Sequence, residues 1–292
     1  MVSREASTIL LGLIGSGIQA SRAPALHEQE AAAQGPRCIY KLIDIDKLGL
    51  GIEALADLLT AAERMGFDGL NITHPCKQAV VALLHELSPD ARALGAVNTV
   101  LLKDGVRFGH NTDWWGFAEN FRRGLPDVAL DRVVQFGAGG AGAAVAHAAL
   151  TLGVGQLAII DVDASRSLAL AESLCARFGA GRAVQGSDIA TAMQKADGLI
   201  NATPMGMAEH PGLPLSPELL RPALWVAEIV YFPLETALLR AARARDCRTL
   251  DGGGMAVFQA AEAFRLFTGN VADPVRMLRH FARMSASSPA PS

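Results

Sequence analysis

One pattern constrains this chain more than any other. Short apolar runs alternate with helix-forming stretches almost throughout its 292 residues, which is the pattern of an α/β protein with parallel sheets. The first half predicts strand 9–14, helix 24–33, strand 38–43, helix 52–65, strand 69–73 and helix 77–85. Segments 99–102 and 106–109 flank Asp104-Gly105, a hairpin signal. A second series predicts strand 133–136, a Gly-rich turn, helix 140–152, strand 157–160, helix 164–178, strands 198–201 and 225–229, and helix 236–245. Helices 255–267 and 273–284 close the pattern, and the Ser/Pro/Ala tail 285–292 reads as flexible.

Composition narrows the class. Half of the residues are apolar, enough for two modest domains. A net charge of -3 points to neither nucleic acid nor membrane as a partner. No apolar run approaches the ~20 residues of a membrane helix, and the polar start MVSREAST does not read as a signal peptide. Cys38, Cys76, Cys175 and Cys247 show no paired or metal spacing, as expected of reduced thiols in a cytoplasmic protein. The joints fall at 111–115 and 251–254, where the DGGG run allows chain reversal and hinge motion. One domain then comprises 1–112 and 253–292, the other 113–252, and a cleft between them holds a small-molecule site.

Gly137-Ala138-Gly139-Gly140-Ala141-Gly142 lies between a strand and a helix. Glycines there permit the tight turn and let the backbone approach a pyrophosphate at the helix N-terminus. Alone, such a match also fits a turn with no ligand. Here a strand precedes it, and Asp161 ends the next strand roughly 20 residues on. A carboxylate at that point accepts hydrogen bonds from the adenosine ribose and repels the 2′-phosphate of NADP. Val162 follows where a phosphate binder wants Arg or Lys. Arg166 is the counter-signal, suited to a phosphate or adenine as well as to a solvated helix face. The expected cofactor is NAD.

Polar residues beside glycines or prolines gather at 15–24, 71–77, 95–99 with 110–113, and 251–259. Hydride transfer from a carbinol needs a group that takes the hydroxyl proton. Lys77 and Asp113 can supply a base and the carboxylate that orients it. Spacing does not bring the two together, and Lys77 reads equally as a surface lysine at a helix start.

The segments GLIGSGIQASRAPALHE (12–28), NITHPCK (71–77), GAVNTV (95–100), GHNTDWWGF (109–117), GAGGAG (137–142), NATPMGM (201–207), VYFPLETALL (230–239) and DGGGMAVFQAAEAF (251–264) together resemble the shikimate dehydrogenase family, in the family's order. The resemblance implies two α/β domains flanking a cleft, the second a Rossmann dinucleotide-binding domain inserted before the terminal helices. It implies Lys77 and Asp113 as the catalytic pair, and Ser21, Thr73, Asn98, Tyr231 and Gln259 as substrate-binding residues. On the cofactor side it implies Gly137, Gly139, Gly140, Ala141, Gly142, Asp161, Arg166, Thr203, Met207, Val230 and Gly252. It implies no metal, a cytoplasmic monomer or homodimer, and shikimate or quinate as the substrate.

Three positions depart from the family's usual pattern. Ala23 stands where a second hydroxyl residue after Ser21 is usual, which removes one carboxylate hydrogen bond and leaves room for quinate. Cys76 replaces a common His and reads as packing. Asp161-Val162-Asp163 replaces an Asn-Arg-Thr type run and is similar to that of the NAD-using quinate/shikimate branch. A paralogue acting on another ring acid, such as an aminated analogue of shikimate, is the alternative within enzymes. A nucleotide-binding regulatory module is the alternative outside them, and the intact Lys77 and Asp113 argue against it.

Overall fold

The computed structural model describes residues 8–286. The chain start and the final residues of the Ser/Pro/Ala tail lie outside that span, and residues 285 and 286 end the last helix. Two compact units account for the described residues: one takes those up to Thr112 and from Gln259 on, the other takes Asp113–Phe258.

Unit 1 begins with β1 (Thr8–Gly15), α1 (Ala23–Gln34), β2 (Arg37–Asp44), α2 (Leu55–Arg64), β3 (Gly69–Ile72) and α3 (Cys76–Ala79). It continues with β4 (Glu86–Leu87), α4 (Pro89–Leu94), β5 (Thr99–Lys103) and β6 (Val106–His110). Its six-stranded sheet has the order β2-β1-β3-β5-β6-β4. β1 pairs in parallel with β2 and β3, while β5 runs antiparallel to both β3 and β6. The β5–β6 hairpin turns at Asp104-Gly105, both with positive φ, as a two-residue turn of this kind requires.

Unit 2 comprises α5 (Asp113–Gly124), β7 (Arg132–Phe136), α6 (Gly140–Thr151), β8 (Gln156–Ile160), α7 (Ala164–Phe178), β9 (Ala183–Gln185), α8 (Ile189–Gln194), β10 (Gly198–Asn201), β11 (Trp225–Glu228), α9 (Ala237–Arg243) and β12 (Arg248–Leu250). Its sheet is wholly parallel, in the order β12-β11-β10-β7-β8-β9. Alternate residues of its strands enter two different cores. Val133, Ile200 and Ala227 join one, and Val134, Leu199 and Val226 the other. Burial on both faces is why these strands read as unbroken apolar runs. Two helices follow, α10 (Gly253–Thr268) and α11 (Pro274–Ala286).

Several expectations are corrected. The helix expected over 77–85 stops at Ala79 and gives way to a 3-10 turn, Val80–Leu83. A 3-10 pitch eclipses residues i and i+3, so Val80 and Leu83 face the same core cluster. The first unit boundary, Thr112/Asp113, does fall within 111–115, and α5 begins there with Asp113 as its first residue. The glycines of 251–254 lead into α10. None has a positive φ, and two permit close packing: a Cβ on Gly252 would lie 2.4 Å from the Ile229 carbonyl oxygen, and one on Gly254 would lie 1.9 Å from Asn120 Oδ1. The second unit boundary falls at Phe258/Gln259, within α10. The first turns of that helix belong to unit 2 because Met255 enters its core and the Arg123 guanidinium lies over the Phe258 ring at 4.9 Å.

Candidate active site

In unit 1 the candidate residues sit on a buried polar network. Tyr40 Oη donates to Asn71 Oδ1 (2.8 Å), and Asn71 Nδ2 donates to Thr99 Oγ1 and to the Asn98 carbonyl (3.1 Å each). Asn98 Nδ2 donates to Thr112 Oγ1 (3.0 Å), and Asn98 Oδ1 accepts from the Thr112 N–H (2.7 Å). Thr112 Oγ1 lies 3.4 Å from Gln259 Oε1. The network therefore links Asn98 to Gln259 through Thr112, and it fixes the buried Asn98 amide because buried donors and acceptors need partners.

The first turn of α3 is tied to the same region. The Val97 N–H donates to the Lys77 carbonyl (2.9 Å) and the Thr73 N–H to the Ile14 carbonyl (2.9 Å). Gly15 allows this approach, since a Cβ there would lie 2.3 Å from Thr73 Cγ2. Lys77 is half-buried and Asp113 is buried. Cys76, next to Lys77, is buried, and burial pushes its thiol pKa up; such a thiol packs and does not react.

Ser21 closes the loop after β1. Its Oγ accepts from the Ala23 N–H (3.3 Å) at the start of α1. Asp44 pins the preceding stretch by accepting from Gln19 Nε2 (2.8 Å) and from the Gly17 and Ile18 N–H groups (3.2 Å each). The Gln19 amide first, with those N–H groups, holds the Asp44 carboxyl below its usual pKa.

Unit 2 gives its glycines separate tasks. Gly137 has φ 98, and a Cβ there would lie 2.5 Å from the Ala202 carbonyl oxygen. A Cβ on Gly142 would lie 2.3 Å from the Gly137 carbonyl oxygen, whereas one on Gly139 or Gly140 would meet nothing within 4 Å. The first glycine thus makes the turn, the last lets α6 pack on the strand, and the middle two leave open space at the N-terminus of α6, beside Ala141. That is the cradle a pyrophosphate needs. Buried Gln135 braces it, donating from Nε2 to the Gly137 and Gly142 carbonyls (2.9 Å each).

Asp161 sits beside this turn and accepts from the Ala138 N–H (2.6 Å) and the Asp163 N–H (2.9 Å). Val162 is fully exposed. Arg166 is exposed and pairs with Asp163, Nε to Oδ2 at 3.4 Å. At the end of β10, Thr203 Oγ1 donates to Asn201 Oδ1 (2.7 Å). Val230 follows β11, with its N–H on Glu228 Oε1 (3.0 Å), and Gly252 packs against the Ile229 and Val230 carbonyls. Met207 and Tyr231 are exposed on unit 2.

Residues that brace the site escaped the sequence reading: Tyr40, Asn71, Thr99, Thr112, Gln135, Asn201, Glu228 and Thr236. Most lie within the quoted motifs. For Glu228 the available signal was a lone acid ending an apolar strand.

Numbered within the unit, the sheet of unit 2 has the strand order 3-2-1-4-5-6, and its glycine turn follows the first strand. These features define a Rossmann-type nucleotide-binding unit. Residues 13–100 match the shikimate dehydrogenase substrate binding domain. The chain is 60% identical to a shikimate dehydrogenase (NADP(+)) of Streptomyces avermitilis, over 96% of this chain and 97% of that protein. It is 51% identical to a quinate/shikimate dehydrogenase (NAD(+)) of Corynebacterium efficiens, over 94% and 98%. Among solved structures, quinate dehydrogenase from Corynebacterium glutamicum in complex with NAD matches with TM-score 0.90 and 49% identity, covering 94% of this chain and 99% of that one. The chain belongs to the shikimate dehydrogenase family.

Proposed function

We propose that this protein is an NAD-dependent dehydrogenase that interconverts shikimate or quinate with the corresponding 3-dehydro acid, with Lys77 and Asp113 as its acid/base pair. The observation that supports the reading is a backbone tie within unit 1 between Lys77 and the residue before Asp113. Lys77 and Thr112 are bonded to the consecutive residues Val97 and Asn98, and Asp113 follows Thr112 in the chain. In the oxidative direction Lys77 takes the proton of the ring hydroxyl, and Asp113 orients its ammonium and stabilises it once charged. Asn98, Gln259, Thr73, Ser21 and Tyr231 bind the hydroxyls and carboxylate of the ring acid. The dinucleotide, when bound, accepts the hydride, with Gly139 and Gly140 along its pyrophosphate.

NAD is favoured over NADP for two reasons. The carboxylate of Asp161 faces the glycine turn, where it meets a ribose as acceptor and a 2′-phosphate as a like charge. Arg166, the cation nearest in sequence, is engaged by Asp163. The relatives include both types: the Streptomyces enzyme is named for NADP and the Corynebacterium enzymes for NAD. The test is reduced-dinucleotide formation from quinate and from shikimate, each with NAD and with NADP. An at least ~10-fold higher kcat/KM with NAD needs only about 1.4 kcal/mol. Equal or better rates with NADP overturn the cofactor assignment and make Arg166 a phosphate ligand. No turnover of either acid moves the assignment to another ring acid, the second reading that Ala23 favours.

A further inference from the structure

Glu228 ends β11 as a carboxylate 2% exposed in the interior of unit 2, and the proposed reaction does not use it. Every partner it has is a donor. Oε1 accepts from the Val230 N–H and Asn201 Nδ2, and Oε2 from Thr236 Oγ1 and Asn201 Nδ2, all at 3.0–3.1 Å. The Val230 N–H and the Asn201 amide nitrogen can only donate. Thr236 Oγ1 meanwhile accepts from the Leu239 N–H (3.3 Å) as the cap of α9. An ionised carboxylate satisfies the whole set, whereas a protonated one must either face the Val230 and Asn201 donors or turn the Thr236 hydroxyl away.

The arrangement reaches the loop that follows β10. With Nδ2 held by Glu228, Asn201 must turn Oδ1 toward the Thr203 N–H and hydroxyl (3.2 and 2.7 Å), while Nδ2 also reaches the Met205 carbonyl (3.0 Å). Gly206 has φ 107, and a Cβ there would lie 3.2 Å from Thr236 Cγ2 and 3.7 Å from Glu228 Oε2. Loop 203–207 therefore rests directly on the Glu228–Thr236 pair. This is a switch-point position: β7 and β10 are neighbours in the sheet whose connections leave in opposite senses, and ligands of such sheets bind beyond the strand ends there.

The geometry points to Glu228 as a positioning residue for the dinucleotide: as a carboxylate it sets the Asn201 amide, and through it holds loop 203–207 in the shape that receives the nicotinamide end. The inference rests on the dinucleotide reading above. A proton on Oε1 puts a hydroxyl between two donors, and a proton on Oε2 turns the Thr236 hydroxyl away and faces the Asn201 amide; either weakens the anchor of Asn201. Burial pushes the Glu228 carboxyl up to about 7, against the hydrogen bonds from Val230, Asn201 and Thr236. The loop would then loosen in the neutral range. All the groups acting on Glu228 are neutral. The titratable side chains of the flanking loops are Glu209, His210, Tyr231 and Glu235, all exposed, with Glu235 paired to Arg243.

The test compares two ligands that share an adenosine end, NADH and ADP-ribose, by equilibrium binding between pH 6 and 8.5. At pH 8, Glu228→Gln should weaken NADH by about 5- to 20-fold, the loss of one or two charge-assisted hydrogen bonds, and leave ADP-ribose within about twofold. In the unaltered protein the preference for NADH over ADP-ribose should shrink as pH falls through about 7; in Glu228→Gln it should not vary, although His210 is still present. Equal weakening of both ligands means a merely structural role and overturns the inference, as does unchanged NADH binding. Should the variant not fold, the pH series of the unaltered protein decides alone, and a flat preference overturns the inference. Failure of the underlying reading looks different: the unaltered protein would bind neither NADH, NADPH nor ADP-ribose.

Discussion

At the scale of single residues, the sharpest prediction concerns Lys77. General acid–base groups contribute about 10²–10⁴-fold, so Lys77→Ala should lower kcat by that order while NADH binding stays nearly constant. Asp113→Asn should also lower kcat, because the lysine loses its orienting charge. Steady-state kinetics with a parallel binding titration checks both, and near-normal turnover in Lys77→Ala refutes the assignment. Ala23 is the residue-scale test of ring choice. Its N–H is bonded to Ser21 Oγ, so a hydroxyl added at 23 would lie one helix-start residue from the serine that remains. Ala23→Ser should tighten shikimate by about 0.5–1.5 kcal/mol, one hydrogen bond, and help quinate less. The readout is the ratio of kcat/KM for the two acids; a ratio that stays put shows that Ala23 does not set the preference.

At the scale of elements, His27 shows how α1 is held. Its ring stacks on Tyr40 of β2 at 5.1 Å and meets Phe264 and Phe267 of α10 at 6.2 and 5.9 Å, with neither ring nitrogen hydrogen-bonded. Burial lowers its pKa from 6.5 to about 4. The folded state thus holds the neutral ring while the unfolded chain protonates near 6.5. Stability is full above 6.5 and is lost as pH falls toward 4, by up to about 3 kcal/mol for a shift of this size. His27→Leu should flatten that part of the urea-midpoint profile. An unchanged slope between pH 6.5 and 4 would assign the acid sensitivity elsewhere. The same scale explains what the sequence shows and hides. The ends of α7 and β10 were legible because a capping Asp163 and a doubly buried apolar run mark them. β4, β9 and β12 are two or three residues long and carry no period. α4 and α8 had their signals, in the caps Ser88 and Asp188, but six residues leave the periodicity silent. α5 went unread beyond the joint at its start, although Phe117 and Phe121 are buried at helical spacing. The polar network of unit 1 was the least visible part, because its members hydrogen-bond between strands whose pairing no local pattern reveals.

At the scale of the whole molecule, unit 2 is, among the described residues, one continuous stretch of chain, whereas unit 1 is assembled from two. Residues 113–258 expressed alone should therefore fold cooperatively, as judged by far-UV circular dichroism through a thermal melt, and should bind ADP-ribose. A fragment without a cooperative transition would show that unit 2 depends on the rest of the chain. Unit 1 stands the other way. Glu30 of α1 is buried and takes its charge partner Arg276 from α11, while a Cβ on Gly69 would collide with Phe267 of α10 at 2.3 Å.

The split of unit 1 orders events on the ribosome. The strands and helices before residue 113 emerge first, with Glu30 lacking its arginine and the slot beside Gly69 unfilled. They wait while the whole of unit 2 is translated, on the order of ten to thirty seconds at about 5–20 residues per second. This segment is completed only when α10 and α11 follow, so its sheet face stays unsealed while unit 2 is made. Pausing within 113–258 would prolong the exposure of that face and the call on chaperones, without altering a single contact of the finished protein.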